Sequence, residues 1–220
     1  MPNYNIKIHK ANFVVQRYRL SPAAIAHQER ILASPTGAQY PMLCCNTSSF
    51  NLQTGMKDVV KPLIFSGKIP RMVYVYMVKR EATSSILCDP FEFIHANVME
   101  IFLEVDGRKY PSGLSYQPDF TTGRFQRDFR LFQRELNYSN RDMVFKMSDW
   151  ESGYTIFPFC LIPDRSHGCD YLAEPENPSG TVTLHMSFHV PLEKAVTVFA
   201  TMEHHRVLSL DSARKPSWLT

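Results

Sequence analysis

Apolar and polar side chains alternate along residues 98–112, VMEIFLEVDGRKYPS. The apolar positions are Met99, Ile101, Leu103 and Val105, and they alternate with Glu100, Phe102, Glu104 and Asp106. This period of two predicts a half-buried strand whose carboxylates face away from the core. Asp106-Gly107 then supplies a turn, because glycine adopts positive φ without steric cost and aspartate tolerates it. Acid–base catalysis needs a sheltered carboxylate with a shifted pKa, so we expect these acids to be structural.

Similar strand-like runs recur along the chain and predict about eight strands. They cover residues 13–20, 42–46, 71–78, 98–106, 154–162, 181–190, 195–201 and 207–210. The chain also contains 15 prolines, 15 phenylalanines and 10 tyrosines, which favour short strands joined by loops over a helical bundle. The predicted fold class is therefore all-β.

Two segments have the pattern of short surface helices. Ser21 is a capping residue followed by proline, and good helix formers follow, which predicts a helix over residues 22–33. The second segment, residues 121–136, places an apolar stripe opposite a row of arginines. The stripe is Phe125, Phe129, Phe132 and Leu136, and the arginines are Arg127, Arg130 and Arg134. The apolar residues and the arginines thus lie on opposite faces of the helix. This separation favours a helix that packs on a sheet through its apolar face, and it argues against a surface that binds nucleic acid.

The composition is that of a folded protein without a strong electrostatic preference. Of the 220 residues, 44% are hydrophobic and 20% are charged, and the net charge is +3. We expect one domain spanning residues 1–220, with neither nucleic acid nor a membrane as its partner. The sequence shows no signal peptide and no apolar run of membrane-spanning length. Its five cysteines have no C-x-x-C spacing, so reduced thiols in an intracellular setting are expected.

The histidines do not form a recognisable metal or catalytic pattern. His185 and His189 lie four residues apart on one predicted strand, which separates them by about 13 Å, too far for a shared metal. The adjacent His204 and His205 point to opposite faces if extended, and His167 with Cys169 lies in a predicted loop. Nucleotide-binding and common hydrolase motifs are also missing from the sequence. We therefore expect no catalytic, cofactor-binding or metal-binding residue, no cofactor, no small-molecule substrate and no enzymatic activity.

An ordered set of further segments matches a known family. Its most specific parts are DPFEFIH at 89–95, the VDG…P turn at 105–111, QPDF at 117–120 and Gly153-Tyr154 opening a strand. They lie within the longer matching stretches 18–41, 89–120, 151–164 and 181–211. Together these segments resemble the major capsid proteins of Polinton (Maverick) elements and their adintovirus relatives, which are built on a double jelly roll.

The resemblance implies an antiparallel jelly-roll sandwich with one or two short surface helices, corresponding to the C-terminal one of two jelly rolls. Either the chain is a portion of a longer capsid protein, or it is a single-jelly-roll relative with a related structural role. The implied function is a structural viral or transposon-derived capsid protein that forms capsomers of an icosahedral shell. Its implied partners are copies of itself in a trimeric capsomer and other capsid proteins such as a penton. Its implied location is the virion, assembled inside the host cell in the nucleus or the cytoplasm.

A jelly-roll ligand-binding module of the lectin type is the alternative function. Exposed aromatic side chains beside acidic ones would suit a sugar, and Asp149-Trp150-Glu151 is the best candidate for such a site. An enzyme of the cupin type ranks third, because the chain lacks the histidine spacing of that class.

Overall fold

The computed structural model describes residues 7–65, 68–111, 114–136, 145–163, 175 and 179–219. The chain divides into two compact units. One unit is made of Met1–Gln39 and Ser209–Ser217, and the other of Tyr40–Leu208 and Trp218–Thr220.

The smaller unit contains the helix α1, Pro22–Leu32, which confirms the predicted first helix. The hydroxyl of Ser21 accepts a hydrogen bond from the backbone N–H of Ala24, and proline occupies the first helical turn. Gly37 follows at φ +65°, and a Cβ at this position would collide with the carbonyl oxygen of Leu210. Glycine is therefore required here both for its backbone conformation and for the close approach.

The strand predicted at residues 13–20 is wrong. These residues adopt no regular secondary structure, and Phe13 and Val14 are 92% and 91% exposed. Alternation alone does not make a strand, because the backbone N–H and C=O groups also need a neighbouring strand. No strand in the described part of the chain pairs with this segment.

The described chain also contains nine strands and two further helices. The strands are β1 Ala38–Leu52, β2 Asp58–Leu63, β3 Met72–Lys79, β4 Val98–Val105, β5 Arg108–Tyr110, β6 Ile156–Cys160, β7 Val182–Phe188, β8 Val196–Leu210 and β9 Pro216–Leu219. The helices are α2, Gln126–Glu135, and α3, Met147–Glu151, and a 3₁₀ turn covers Arg80–Thr83.

The strands form two sheets with jelly-roll connectivity. The first sheet has the order β1-β8-β3-β6, with β9 also pairing β8, and the second has the order β2-β7-β4-β5. The first strand thus lies beside the eighth, the second beside the seventh, the third beside the sixth and the fourth beside the fifth. This is the arrangement of a long hairpin folded over itself into two facing sheets. The registers of β2–β7, β3–β6, β3–β8, β4–β5 and β4–β7 are antiparallel, so the predicted antiparallel jelly-roll fold is confirmed.

Several strand boundaries differ from those predicted. The strands predicted at 195–201 and 207–210 are parts of one long strand, β8, which starts at Val196, and residues 42–46 are only the middle of β1. The strands β2, β5 and β9 were not predicted. In β2, DVVKPL, the residues Lys61 and Pro62 interrupt the alternation of apolar and polar side chains. The sequence pattern therefore did not indicate a strand.

The core lies between the inner faces of the two sheets. In β7 the residues Val182, Leu184, Met186 and Phe188 are at most 3% exposed, whereas the residues between them are half-buried. The same alternation in β4 is interrupted by a bulge between Val98 and Glu100, which buries Val98 and leaves Met99 38% exposed. Met99 was expected in the core, and the extra residue of the bulge moves it to the other face.

Helix α2 packs on this sandwich through its aromatic stripe, as predicted. Phe125, Phe129 and Phe132 are 4%, 8% and 2% exposed, and Leu136 packs partly buried against the same cluster. The arginines of the opposite face, Arg127, Arg130 and Arg134, are all exposed. The helix is therefore a surface element that covers one end of the core.

Candidate functional surfaces

The carboxylate of Glu100 joins strand β4 to its neighbours. Its Oε1 lies 2.8 Å from Lys109 Nζ, 2.6 Å from Ser115 Oγ and 3.3 Å from Gln117 Nε2. The hydrogen bond from Lys109, followed by that from Ser115, lowers the pKa of Glu100 below its ordinary value. A carboxylate held in its charged form by three donors has no proton to give and is a weak base. Glu100 is thus a structural anchor.

The other two acids of this strand region also have structural partners. Glu104 Oε2 lies 3.3 Å from His185 Nε2 on the neighbouring strand β7. Asp106, at φ +47°, starts the turn between β4 and β5, and its carboxylate accepts the backbone N–H of Thr181. The predicted turn and the outward-facing carboxylates are confirmed.

His185 and His189 are held by different groups and do not converge. The ring of His185 stacks on Phe102 with centroids 4.6 Å apart and an interplanar angle of 4°. His189 Nε2 lies 3.4 Å from the carbonyl oxygen of Pro118. Within the described ranges, no group of three or more His, Cys, Asp or Glu side chains is placed to hold a metal ion.

His204 is a buried core residue. It is 6% exposed, and its ring centroid lies 6.0 Å from that of Phe65. Burial lowers its pKa, because a charged imidazolium would lose its hydration there. The neighbouring His205 is half-buried, which agrees with side chains on opposite faces of a strand. The pair of His167 and Cys169 lies outside the described residues.

The aromatic side chain proposed for sugar binding is part of the core. Trp150 is 1% exposed, and its Nε1 donates a hydrogen bond of 2.9 Å to the carbonyl oxygen of Ile156. Its indole also packs against the ring of Phe157 in an edge-on contact at 5.7 Å. The expectation of an exposed tryptophan at 149–151 is therefore wrong. Its acidic neighbours suggested exposure, but the one-turn helix α3 rotates the indole inward while Asp149 and Glu151 stay less buried.

An open groove lies beside the connection between β7 and β8. Its volume is about 210 Å³, and its polar lining side chains are Lys79, Asn97, Glu193 and Lys194. Ligand pockets for small molecules typically enclose about 300–1,000 Å³. The groove is thus too small and too open to define a ligand site by itself.

Large apolar side chains are exposed at several places on the larger unit, and in two of these places several of them lie close together in sequence. The loop after the 3₁₀ turn presents Ile86, Leu87 and Phe91, each 72% or 73% exposed. On strand β1, Tyr40 and Met42 share one face and are 48% and 43% exposed, and Leu43, on the opposite face, is 40% exposed. Contiguous apolar patches mark contact surfaces with other macromolecules, so segments with several exposed apolar side chains are the places to look for them. They are the candidate assembly surfaces of the chain, and sequence alternation alone did not reveal them.

Cys44, Cys45 and Cys88 are free thiols in the described part of the chain, and Cys160 is buried. Burial, followed by the negative charge of Glu203, raises the pKa of the Cys45 thiol. Cys45 is therefore an exposed thiol held mainly in its protonated form.

No helix among the described residues is long and apolar enough to cross a membrane.

No protein-family model matches the chain. The chain is similar to the uncharacterized protein F54H12.2 of Caenorhabditis elegans, with 28% identity over 130 residues. That match covers 57% of this chain and 31% of the nematode protein.

Two solved structures are similar in fold. A structure of the mavirus major capsid protein matches with 9% identity and a TM-score of 0.46, over 91% of this chain and 44% of that one. PBCV-1 VP54, fitted into a reconstruction of the virophage Sputnik, matches with 7% identity and a TM-score of 0.50. The second match covers 84% of this chain and 52% of that one. The chain therefore spans about half the length of the solved proteins it resembles, and it has a viral capsid-like jelly-roll fold.

Proposed function

We propose that this chain is a structural protein of a viral or transposon-derived particle and that it forms capsomers of an icosahedral shell. The single observation that carries the proposal is the strand order β1-β8-β3-β6 facing β2-β7-β4-β5. This arrangement is common to viral capsid domains, and its likeness to PBCV-1 VP54 extends over most of the chain.

The chemistry of the described side chains supports a role in assembly. The half-buried acids of β4 bind side chains of neighbouring strands, as Glu100 does with Lys109 and Glu104 with His185. By contrast, apolar side chains at Ile86, Phe91 and Met42 lie on the surface. A protein that acts by contact with other subunits uses such surfaces, whereas a catalyst needs convergent polar groups.

The Polinton (Maverick) type and the second jelly roll are further parts of the proposal. The chain spans 44% and 52% of the two solved proteins it resembles, so one more sandwich of similar size would complete their length. We propose that the chain is one of two jelly rolls in such a protein and that three double subunits form a capsomer. A penton protein would be a further partner, and the virion, assembled in the nucleus or the cytoplasm, would be its location.

Expression of the natural gene product that contains this chain tests the proposal. Light scattering coupled to size exclusion should give a mass of three subunits, and electron microscopy should show capsomers or closed particles. The matched control is Leu103→Asp, which places a charge at a fully buried core position and should abolish folding and assembly together. A folded wild-type protein that stays monomeric across a wide range of concentration, salt and pH would contradict the proposal.

A further inference from the structure

Strand β1 is a long sheet edge without charged residues. It runs from Ala38 to Leu52 at the outer side of the first sheet, and its sequence AQYPMLCCNTSSFNL contains no Asp, Glu, Lys or Arg. Only its two terminal residues are buried, and no strand in the described chain pairs with its outer side. Such an edge presents a row of unpaired backbone N–H and C=O groups to any strand that approaches.

The edges of the second sheet carry the usual protection. Strand β2 contains Asp58, Lys61 and Pro62, and β5 consists of only three residues, of which Arg108 and Lys109 are charged. Charges, proline and short length all prevent edge-to-edge pairing.

The other edge of the first sheet is also covered. Strand β6 contains Pro158, and the backbone N–H of Cys160 donates to Glu135 Oε2 of helix α2 at 3.0 Å. In β1 the only comparable feature is Pro41, which removes a single backbone N–H near the start and leaves the rest of the strand from Ala38 to Leu52 unprotected. The contrast among the four edges indicates that β1 is left open for a partner.

Side-chain hydrogen bonds fix how β1 lies in its sheet. Thr47 Oγ1 lies 2.9 Å from Thr201 Oγ1, and Thr197 Oγ1 donates to Asn51 Oδ1 at 2.8 Å on the neighbouring strand β8. Because side chains alternate, Cys45 shares the face of Thr47 and Asn51. Burial, followed by the negative charge of Glu203, raises the pKa of Cys45, and the second of these effects agrees with a position beside Glu203 of β8. One edge of β1 is thus held by β8, and no strand among the described residues pairs with its other edge.

We infer that β1 pairs antiparallel with β1 of a second copy of this chain around a two-fold axis, which joins the two first sheets into one. This inference rests on the proposed function and concerns a contact between neighbouring capsomers, because a three-subunit capsomer has no internal two-fold axis. Identical strands that pair antiparallel are related by a two-fold axis, so the contact is self-complementary. A charged residue near the axis would meet its own like charge, and β1 contains none.

The position of Cys45 makes the pairing measurable. It is the middle residue of Ala38–Leu52, so pairing over the full strand places it opposite Cys45 of the second copy. Directly opposed residues of antiparallel strands have Cα atoms about 4.5–5.5 Å apart. A disulfide accepts Cα separations of about 4.4–6.8 Å. Mild oxidation should therefore link the two copies through Cys45.

Cross-linking with copper phenanthroline under air, followed by non-reducing electrophoresis and peptide mass spectrometry, tests this geometry on the full chain. We expect a Cys45–Cys45 disulfide in the wild type and its loss in Cys45→Ser. Cys44→Ser is the matched control, since the adjacent side chain points to the other face and its removal should leave the cross-link intact.

A charge on the edge gives a second, independent test. Cys45→Lys places a cation beside Glu203, which favours the folded single chain, but it sets two like charges opposite each other in the pair. We expect self-association to weaken by about tenfold. Gln53→Lys, just beyond the end of the strand, is the control and should leave self-association unchanged.

The possible outcomes separate this inference from the proposed function. If the protein assembles but Cys45 does not cross-link and Cys45→Lys assembles like the wild type, the β1 pairing is wrong while the capsid function stands. If the folded protein never associates at any concentration, both are wrong. A Cys45–Cys45 link together with weaker association of Cys45→Lys supports both.

Discussion

At the scale of single residues, charged groups in this chain strengthen the sandwich by joining its elements. Glu100 is the best example. One of its carboxylate oxygens accepts hydrogen bonds from Lys109 of β5 and from Ser115 and Gln117 of the following segment. The Lys109 ammonium also lies 3.8 Å from the ring centroid of Phe102, which is a cation–π contact. Lys109 thus links a carboxylate and an aromatic ring on one face of the second sheet.

Glu100→Gln should make the protein less stable at neutral pH and nearly unchanged in acid. The folded-state pKa of Glu100 is lowered from its ordinary 4.5, so its charged form stabilises the fold above that value. This contribution is lost as the pH falls through the lower folded-state pKa. Because the side chain is partly exposed, with 29% of its surface accessible, we expect a loss of at most about 1 kcal/mol.

Urea unfolding of wild type and Glu100→Gln between neutral and strongly acidic pH measures this effect. Glu193→Gln, in an exposed loop, reports the general effect of removing one negative charge. A difference between wild type and Glu100→Gln that grows toward acid pH would show that Lys109 and Ser115 do not hold the charged form.

At the scale of elements, the local sequence pattern was sufficient to predict a helix or strand that packs against the core with a single apolar face. The Phe stripe predicted α2 because Phe125, Phe129 and Phe132 recur at helical spacing, and the alternation predicted β7 because each inward residue is apolar. Ser21 predicted the start of α1 because its hydroxyl satisfies a free backbone N–H at the first turn.

Local pattern failed where a distant part of the chain decides the outcome. Residues 13–20 alternate like a strand but have no partner in the described chain, whereas β2 lacks the alternation and is a strand because β7 pairs with it. The bulge that exposes Met99 depends on how β4 meets β7, and the burial of Trp150 depends on α3 packing on the core. The open edge of β1 follows from the strand order, so the sequence alone did not indicate it.

Removal of one ring from the α2 stripe should strongly destabilise the protein. Phe129 is 8% exposed, stacks on Phe132 at 5.7 Å and lies 6.0 Å from the Trp150 ring. Phe129→Ala therefore leaves a cavity, and we expect a loss of about 3–5 kcal/mol in the free energy of unfolding. Arg130→Ala, on the exposed face of the same helix, should change stability by less than about 0.5 kcal/mol.

Urea midpoints of the two variants and the wild type, followed by tryptophan fluorescence, give this comparison directly. Trp150 is a suitable probe because it is buried beside the mutated ring. Equal midpoints for Phe129→Ala and wild type would show that α2 does not anchor on the core.

At the scale of the whole molecule, the balance of charges indicates which forces would hold copies together in the proposed assembly. The chain has 24 basic and 21 acidic residues, so its net charge is small. The candidate assembly surfaces are uncharged in β1 and apolar around Ile86 and Phe91. Contacts of this kind depend on backbone hydrogen bonds and apolar burial, which salt does not screen.

Self-association of this chain should therefore persist when the ionic strength is raised from about 0.05 M to about 0.5 M. An assembly held together by nucleic acid would lose affinity steeply over this range, because each phosphate contact releases counterions that salt replaces. Sedimentation velocity at the two salt concentrations, with and without nuclease treatment, distinguishes the two cases. Cys45→Lys provides the internal comparison, because salt screens the repulsion between the two introduced lysines. Self-association of this variant should therefore partly recover at the higher salt concentration. Dissociation of the wild-type protein at high salt, or after nuclease treatment, would show that charge and not the open strand edge joins the copies.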